Sequence, residues 1–510
     1  MSETEGRGTR PTTSGTPGVD AARQEDTPYA DALVAYARRS PGRYNVPGHK
    51  AAASINPALA EVFGERALIM DIPPIIDGID AGEEPSPFEL SQQLAAEAWG
   101  ARRTWFLFNG ASAANHAICM ALRHFGRDVV VQRNVHTSTI DGLIASGLRP
   151  TFAFPEVDAR VGIAHCLRPE ELDRALREAQ TAHAAIVVSP TYYGFSADLA
   201  GLREVARSHG VTLVVDEAWG AHFAFSPRLP QDALSAGADL VVSSTHKMLG
   251  SLTQSAMLHS GRDGEIDDAT IDRAVSLLES TSPSAILAGS LDLARRRAAV
   301  EGEALLRATI DAAAVIRQSI EAIPGLATLD DRQIGSFGIA GFDPLRVTID
   351  LSGSGRDARL VNRRLNDKHA VFLELISERA LVAILGIGEG VGDAQRLVAG
   401  LRESLSVLEP SPSGRSFALP HPGLLRVTPR AAYFSPTTAI DASHAEGRIA
   451  AETLAVYPPG VPNVLPGEVI TAQNLEHVLR AHAGGLTVRG PADRSLRTIR
   501  VIATPHPDAA

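Results

Sequence analysis

From Phe88 onward the chain alternates between two hydrophobic periods. Phe88 to Trp99 places Leu90, Leu94 and Ala98 at helical spacing, Thr104 to Phe108 is a short strand-like run, and Ser112 to Phe125 returns to the helical period through Ile118, Leu122 and Phe125. Apolar runs recur at Val129-Val130-Val131, Thr151 to Phe154, Ala185 to Val188, Thr212 to Val215 and Leu240 to Val242, with helices predicted at about 138–146, 168–180 and 199–209. Apolar strands alternating with amphipathic helices predict an α/β domain whose mostly parallel sheet is covered on both faces. In such a sheet a ligand sits at the carboxyl ends of the strands, so chemistry is sought directly after each run.

Around this region, residues 1–27 carry almost nothing to bury and are expected to form a disordered tail, with order starting near Tyr29 in an N-terminal segment, 28–87. The large domain is expected over 88–310, and its end, from Ser284 to Ile323, is mostly helical. Arg295-Arg296-Arg297 there reads as a solvated helix face. A small α+β domain over 311–409 contains a strand at Arg346 to Leu351 and helices at about 356–368 and 393–408. Residues 410–419 read as a linker and 420–510 as a C-terminal domain.

The residues after the strands are chemically loaded. Asn109-Gly110-Ala111-Ser112 opens a helix with small residues, where backbone N–H groups can approach an anion. Arg133-Asn134-Val135-His136 follows the second strand, and Asp216-Glu217-Ala218-Trp219 follows Thr212 to Val215. Ser243-Ser244-Thr245-His246-Lys247 follows Leu240 to Val242. Taken alone, each has a plain structural use: a capping serine, a capping-region histidine, a loop acid, an exposed lysine. Together they meet the needs of pyridoxal phosphate, which requires a lysine for its aldehyde, an acid for its ring nitrogen and an anion site for its phosphate.

Composition narrows the class. The formal net charge of -11 over 510 residues argues against a nucleic-acid surface. No apolar run reaches bilayer length. Two cysteines, Cys119 and Cys166, are too few for a disulfide framework or a thiolate metal site, so both are expected to fill core space and no metal is expected. A cytoplasmic protein is expected.

Asn45-Val46-Pro47-Gly48-His49-Lys50, Asn109 to Ser112, Arg133 to His136, Asp216-Glu217-Ala218 and Ser244-Thr245-His246-Lys247 occur in that order, followed by Thr281-Ser282-Pro283-Ser284 and Tyr457-Pro458-Pro459-Gly460-Val461-Pro462 with Pro466-Gly467-Glu468. Over about 28–505 the chain resembles the compact Orn/Lys/Arg decarboxylases of the fold-type-I pyridoxal-phosphate class. The resemblance implies an aminotransferase-like large domain with a seven-stranded sheet, a small α+β domain and a decarboxylase-type C-terminal domain. It assigns Lys247 to the cofactor aldehyde, Asp216 to the ring nitrogen and His136 to the ring face. Ser112 with Ala111 and Ala113, and Ser244 with His246, are assigned to the phosphate. Trp219 lies near the cofactor, where compact members usually carry histidine. Other departures are Ala111 in place of a threonine and the acidic stretch Asp77 to Pro85 in place of a more regular motif.

His49, Lys50 and Glu468 are candidate substrate contacts by the same resemblance, and Glu468 can be buried only if it is paired. A homodimer or higher homo-oligomer is implied. The leading expectation is decarboxylation of a basic L-amino acid, arginine first and then lysine or ornithine, feeding polyamine metabolism. The alternatives are an aminotransferase or lyase on a modified amino acid, and a non-catalytic pyridoxal-phosphate-binding paralogue.

Overall fold

The computed structural model describes residues 22–52, 54–82, 84–377, 379–392, 394–410, 420–457 and 461–503. The tail before residue 22, most of the expected linker and Pro458-Pro459-Gly460 lie outside the described residues.

Seven strands form the central sheet: β1 (Arg103–Leu107), β2 (Asp128–Gln132), β3 (Arg149–Ala153), β4 (Ala184–Val188), β5 (Thr212–Asp216), β6 (Leu240–Ser243) and β7 (Ala256–Ser260). Their spatial order is β1-β7-β6-β5-β4-β2-β3, parallel except for β7, which runs antiparallel to both neighbours. The strands read as continuous apolar runs because both faces are buried. Val130, Val187, Val215 and Val241 point into one core, while Val129, Val131, Val214 and Val242 point into the other. Cys119 and Cys166 are buried and unbridged in these two cores, as expected.

β7 is absent from the sequence-based expectation because Ala-Met-Leu-His-Ser ends in two polar residues. Both are buried, and each has a polar partner: His259 Nδ1 pairs with Thr104 Oγ1 at 2.8 Å, and Ser260 Oγ donates to Asp268 at 3.1 Å.

Four helices position the site: α1 (Pro28–Arg38), α2 (Pro87–Trp99), α3 (Gly110–Leu122) and α4 (Thr137–Ser146). A fifth, α5 (Ala285–Glu321), runs 37 residues without a break, about 55 Å. It passes through the expected boundary at 310, so the large and small domains share a rigid rod there. The small domain packs a four-stranded antiparallel sheet against helices, and the C-terminal domain carries a two-stranded and a three-stranded sheet with a helix over Ala472–Ala483.

Two expectations are corrected. Residues 22–27, assigned to the disordered tail, form a short helical turn with Gln24 buried. Its partner is the basic run assigned to solvent: Arg295 is fully buried, and it donates to the carbonyls of Gln24 and Asp26 and to Asp292. A guanidinium can be buried when acceptors meet its terminal nitrogens, and two of these acceptors are backbone carbonyls that no periodicity reveals. The acidic stretch 77–85 builds its own turn: Asp80 accepts from the N–H groups of Ile75 and Ile76 at 2.8 and 2.6 Å. Among the described residues, no helix is long and apolar enough to cross a membrane.

Candidate active site

Asp216 closes β5, Lys247 lies one short helical turn beyond β6, and His136 caps α4 after β2. All three therefore stand at the carboxyl edge of the sheet.

Lys247 Nζ sits 4.0 Å from the centroid of the Trp219 ring. Burial lowers its pKa from 10.5 to about 8; the Asp216 carboxylate opposes this, Arg346 adds to it, and Glu374 opposes it. Arg346 is itself fully buried, with its guanidinium carbon 4.6 Å from the same indole centroid and one nitrogen donating to the Trp219 carbonyl at 3.1 Å. Tyr192 meets the indole edge-on at 5.7 Å.

Asp216 is buried and accepts from Asn115 Nδ2 at 3.0 Å and from the Ala218 N–H at 3.1 Å. His136 Nδ1 accepts from the Ser138 N–H at 3.2 Å and lies 2.8 Å from Ser138 Oγ. Its pKa is held below the usual histidine value, chiefly by burial; Asp216 opposes and Lys247 reinforces the shift.

The anion site expected at α3 has open donors. Asn109, its capping residue, does not accept from the helix, and its side-chain oxygen instead accepts from Gln254 at 3.0 Å. Ala111, Ser112 and Ala113 thus present the first turn with no side chain satisfying its N–H groups from the cap. Across the site the buried hydroxyls of Ser243, Ser244 and Thr245 have no partner among the described residues. His246 donates from Nδ1 to the Ser255 carbonyl at 2.8 Å, and burial lowers its pKa. A phosphate needs such donors, so these residues fit pyridoxal phosphate. A buried hydroxyl left unmatched costs free energy that a bound anion recovers. Among the described residues, no cluster of His, Cys, Asp and Glu could hold a metal ion.

A cavity of about 260 Å³ opens from His136 towards the C-terminal domain, between Asp141, Tyr192, Tyr457, Pro462 and Arg489. Its far wall is pinned by Glu468. Glu468 is buried, as its sequence required of a paired acid, and both its oxygens are taken by Arg133, with the Leu465 N–H donating to Oε2 at 2.9 Å. Within the chain the carboxylate that was expected to meet a substrate tail is instead engaged at both oxygens by structural donors. His49 and Lys50 are not brought to Lys247 within the chain. His49 pairs with Asp71 at 3.0 Å, and Lys50 donates to the Asn45 carbonyl.

Four residues were missed at the level of sequence: Asn115, Ser138, Arg346 and Glu374. Asn115 lies one helical turn after Ser112 and Ser138 is the second residue of a helix capped by His136, so helical spacing could have found the first and capping geometry the second. Arg346 looks like the polar start of an ordinary strand. Glu374 is exposed in an irregular stretch, and its charge reaches Lys247, Arg346 and Tyr192.

Comparisons with known proteins agree with this arrangement. The family profile described as Orn/Lys/Arg decarboxylase, major domain, matches residues 27–389, and that of the C-terminal domain matches 426–483. An arginine decarboxylase of Bacillus subtilis is 36% identical over 482 residues, covering 94% of this chain and 98% of that protein. An arginine decarboxylase of Halalkalibacterium halodurans is 35% identical over 486 residues, with the same shares of 94% and 98%. Among solved structures, lysine decarboxylase A from Pseudomonas aeruginosa superposes with a TM-score of 0.80 at 21% identity, over 94% of this chain and 81% of that one, a likeness of fold.

Proposed function

The chain belongs to the Orn/Lys/Arg decarboxylase family, and from that premise we propose that it is a pyridoxal-phosphate enzyme converting L-arginine to agmatine and carbon dioxide. The observation that carries the chemistry is Lys247: a half-buried lysine at the carboxyl edge of the sheet, with its pKa brought to about 8 and Asp216 at the end of the neighbouring strand. Arginine is favoured over lysine and ornithine by the two arginine decarboxylases that match nearly end to end.

When bound, pyridoxal phosphate supplies a ring that accepts the electron pair left at Cα as the carboxylate departs. The chain's own residues do the rest. Lys247 is the amine that would hold the aldehyde. Asp216, fixed by Asn115 and the Ala218 N–H, would keep the ring nitrogen protonated. His136 would cover one ring face, and Trp219 flanks the lysine. The first turn of α3, from Ala111 to Ala113, and Ser244 and His246 would cradle the phosphate. An amine with a pKa of about 8 exchanges protons readily near neutrality, so Lys247 Nζ is the group to deliver the proton that replaces the carboxylate. Glu374, whose negative charge is felt at Lys247, is the counter-charge for the substrate's cationic tail, in the place expected of Glu468.

His49 and Lys50 are assigned to a second copy's site in a homodimer. The turn that carries them is flanked by exposed apolar side chains, Tyr44, Val46, Val62 and Phe63, which a second copy would cover. The enzyme is placed in the cytoplasm, and its amine product in polyamine formation. The test is mass spectrometry of products after separate incubation with L-arginine, L-lysine and L-ornithine, with no oxo acid present. Agmatine from arginine is expected. Absence of any amine from a cofactor-loaded protein refutes the proposal and turns attention to transamination.

A further inference from the structure

Asn115 is buried on α3 and spends both hydrogens of its amide nitrogen: one on Asp216 Oδ2 at 3.0 Å, the other on Ser138 Oγ at 3.0 Å. The carboxylate decides which end of the amide faces it, since an amide oxygen there would oppose an anion. Because Ser138 Oγ accepts from Asn115, its own proton is free for the neighbour at 2.8 Å, His136 Nδ1. That nitrogen already accepts from the Ser138 N–H at 3.2 Å, a donor that cannot turn round. Nδ1 is therefore an acceptor twice over, and in the neutral ring the hydrogen belongs on Nε2.

We propose that Asn115 is a positioning residue that couples the two sides of the cofactor site, fixing the Asp216 carboxylate directly and holding His136 as its Nε2–H tautomer through Ser138. The proposal rests on the assignment of Asp216 and His136 to the cofactor. Its direction follows from the donor count: every side-chain bond in the path from Asp216 to His136 starts from Asn115 or from the hydroxyl that Asn115 has committed, and the Ser138 N–H adds a backbone donor at Nδ1. Protonating His136 at Nδ1 would set a third hydrogen against two donors.

The charges facing His136 come from four elements. Asp216 at the end of β5 and Asp141 on α4 favour its protonation, while Lys247 beyond β6 and Arg489 on a strand of the C-terminal domain oppose it. The lowered pKa of His136, of which burial is the largest cause, agrees with the tautomer lock.

Two measurements test the coupling, and neither needs turnover. In the apoprotein labelled with 15N-histidine, long-range proton–nitrogen spectra read the tautomer and midpoint of His136, its signals assigned by their loss in His136→Gln. Wild type should show an unprotonated Nδ1 and a midpoint below that of ordinary histidine. Asn115→Leu, which frees the Ser138 hydroxyl to turn, and Ser138→Ala, which removes it, should each raise the midpoint by about half to one pH unit. The double variant should rise no further than the larger single effect, because the two residues act in series.

Cofactor affinity separates the two arms. Titration of the apoprotein with pyridoxal phosphate, read by absorbance, should show binding about tenfold weaker in Asn115→Leu and within twofold of wild type in Ser138→Ala. An unchanged His136 midpoint in Ser138→Ala overturns the proposal whether or not Asn115→Leu folds, and so do additive effects in the double variant. Since both readouts are independent of catalysis, a protein that decarboxylates nothing yet shows these shifts would refute the proposed function and keep the coupling. Active enzyme without the shifts would do the reverse.

Discussion

Glu468→Gln separates a structural from a substrate-binding acid. Glu468 and Arg133 are almost wholly buried, with side-chain exposures of 2% and 3%. They join the loop after β2 to the C-terminal domain. Both carboxylate oxygens meet Arg133, Leu465 donates its N–H to Oε2, and Arg133 also donates to the Pro462 carbonyl at 3.1 and 3.3 Å. Removing the charge at position 468 leaves a buried guanidinium unmatched, a change that costs about 3–5 kcal/mol. Spent on local opening, that corresponds to amide exchange about two to four orders of magnitude faster through residues 461–470, with the global stability of the domain as ceiling. The same residues form the cavity wall beside His136, so turnover should fall for arginine, lysine and ornithine in the same proportion. Arg133→Met added to Glu468→Gln removes the stranded charge and should recover part of the loss. Hydrogen exchange by mass spectrometry and kcat/KM on the three amino acids are the assays. Unchanged exchange with a loss confined to one amino acid would refute the reasoning and return Glu468 to the substrate.

The remaining predictions concern the charged groups around the site. With its pKa at about 8, Lys247 is about half neutral at pH 8 and about one part in a hundred neutral at pH 6. The rate of pyridoxal-phosphate loading, divided by that of the neutral form of a simple amine to cancel the cofactor's own ionisation, should climb about tenfold per unit from pH 6 to 7 and level off above about pH 9. A normalised rate that still climbs about tenfold per unit through pH 9 contradicts the lowered pKa. Ser244→Ala should weaken cofactor binding by about tenfold while leaving the apoprotein's melting temperature within a degree or two, since this hydroxyl has no partner to lose. Arg295→Met should detach the 22–27 turn and lower thermal stability measurably, because Asp292 and two carbonyls lose their buried donor; unaltered proteolysis at residues 22–27 would contradict this. Glu374→Gln should raise KM for arginine at least tenfold with a smaller change in kcat, and a change in kcat alone would remove it from the substrate's tail.

What the sequence makes legible here is what regular geometry encodes. Six of the seven central strands are readable because burial on both faces forces unbroken apolar runs, and the candidate lysine, acid and histidine follow from looking past their ends. β7 hides because His259 and Ser260 carry polar side chains into the interior, where Thr104 on β1 and Asp268 meet them only once the chain is folded. Arg295 hides for the same reason in reverse. A run of three arginines looks like a water-facing surface, as it is at Arg297, and the carbonyls of Gln24 and Asp26 with Asp292 make Arg295 an interior residue. Glu468 was half legible: its burial and pairing follow from the cost of an isolated charge, but the identity of the partner, Arg133, depends on how two domains meet.

The surroundings of Lys247 show why reactive and structural charges must be kept apart in one small volume. Among the described residues Lys247 forms no ion pair, although Asp216 is close enough to act on it. Asp216 instead spends its oxygens on Asn115 and Ala218. Had the carboxylate closed onto the ammonium, the amine would be held charged and unable to attack an aldehyde. Arg346 works in the same direction from the Trp219 indole, a second cation near the first, so that putting a proton on Lys247 means placing two positive charges by one aromatic ring. The drop from 10.5 to about 8 corresponds to roughly 3 kcal/mol of disfavoured protonation. Arg346 can exert this pressure because Asp343, also buried, lies 3.6 Å away and offsets the cost of its burial without neutralising its effect on Lys247. The tryptophan at position 219 thus belongs to the tuning of the lysine: it gives both cations an apolar neighbour that attracts charge weakly and accepts no proton.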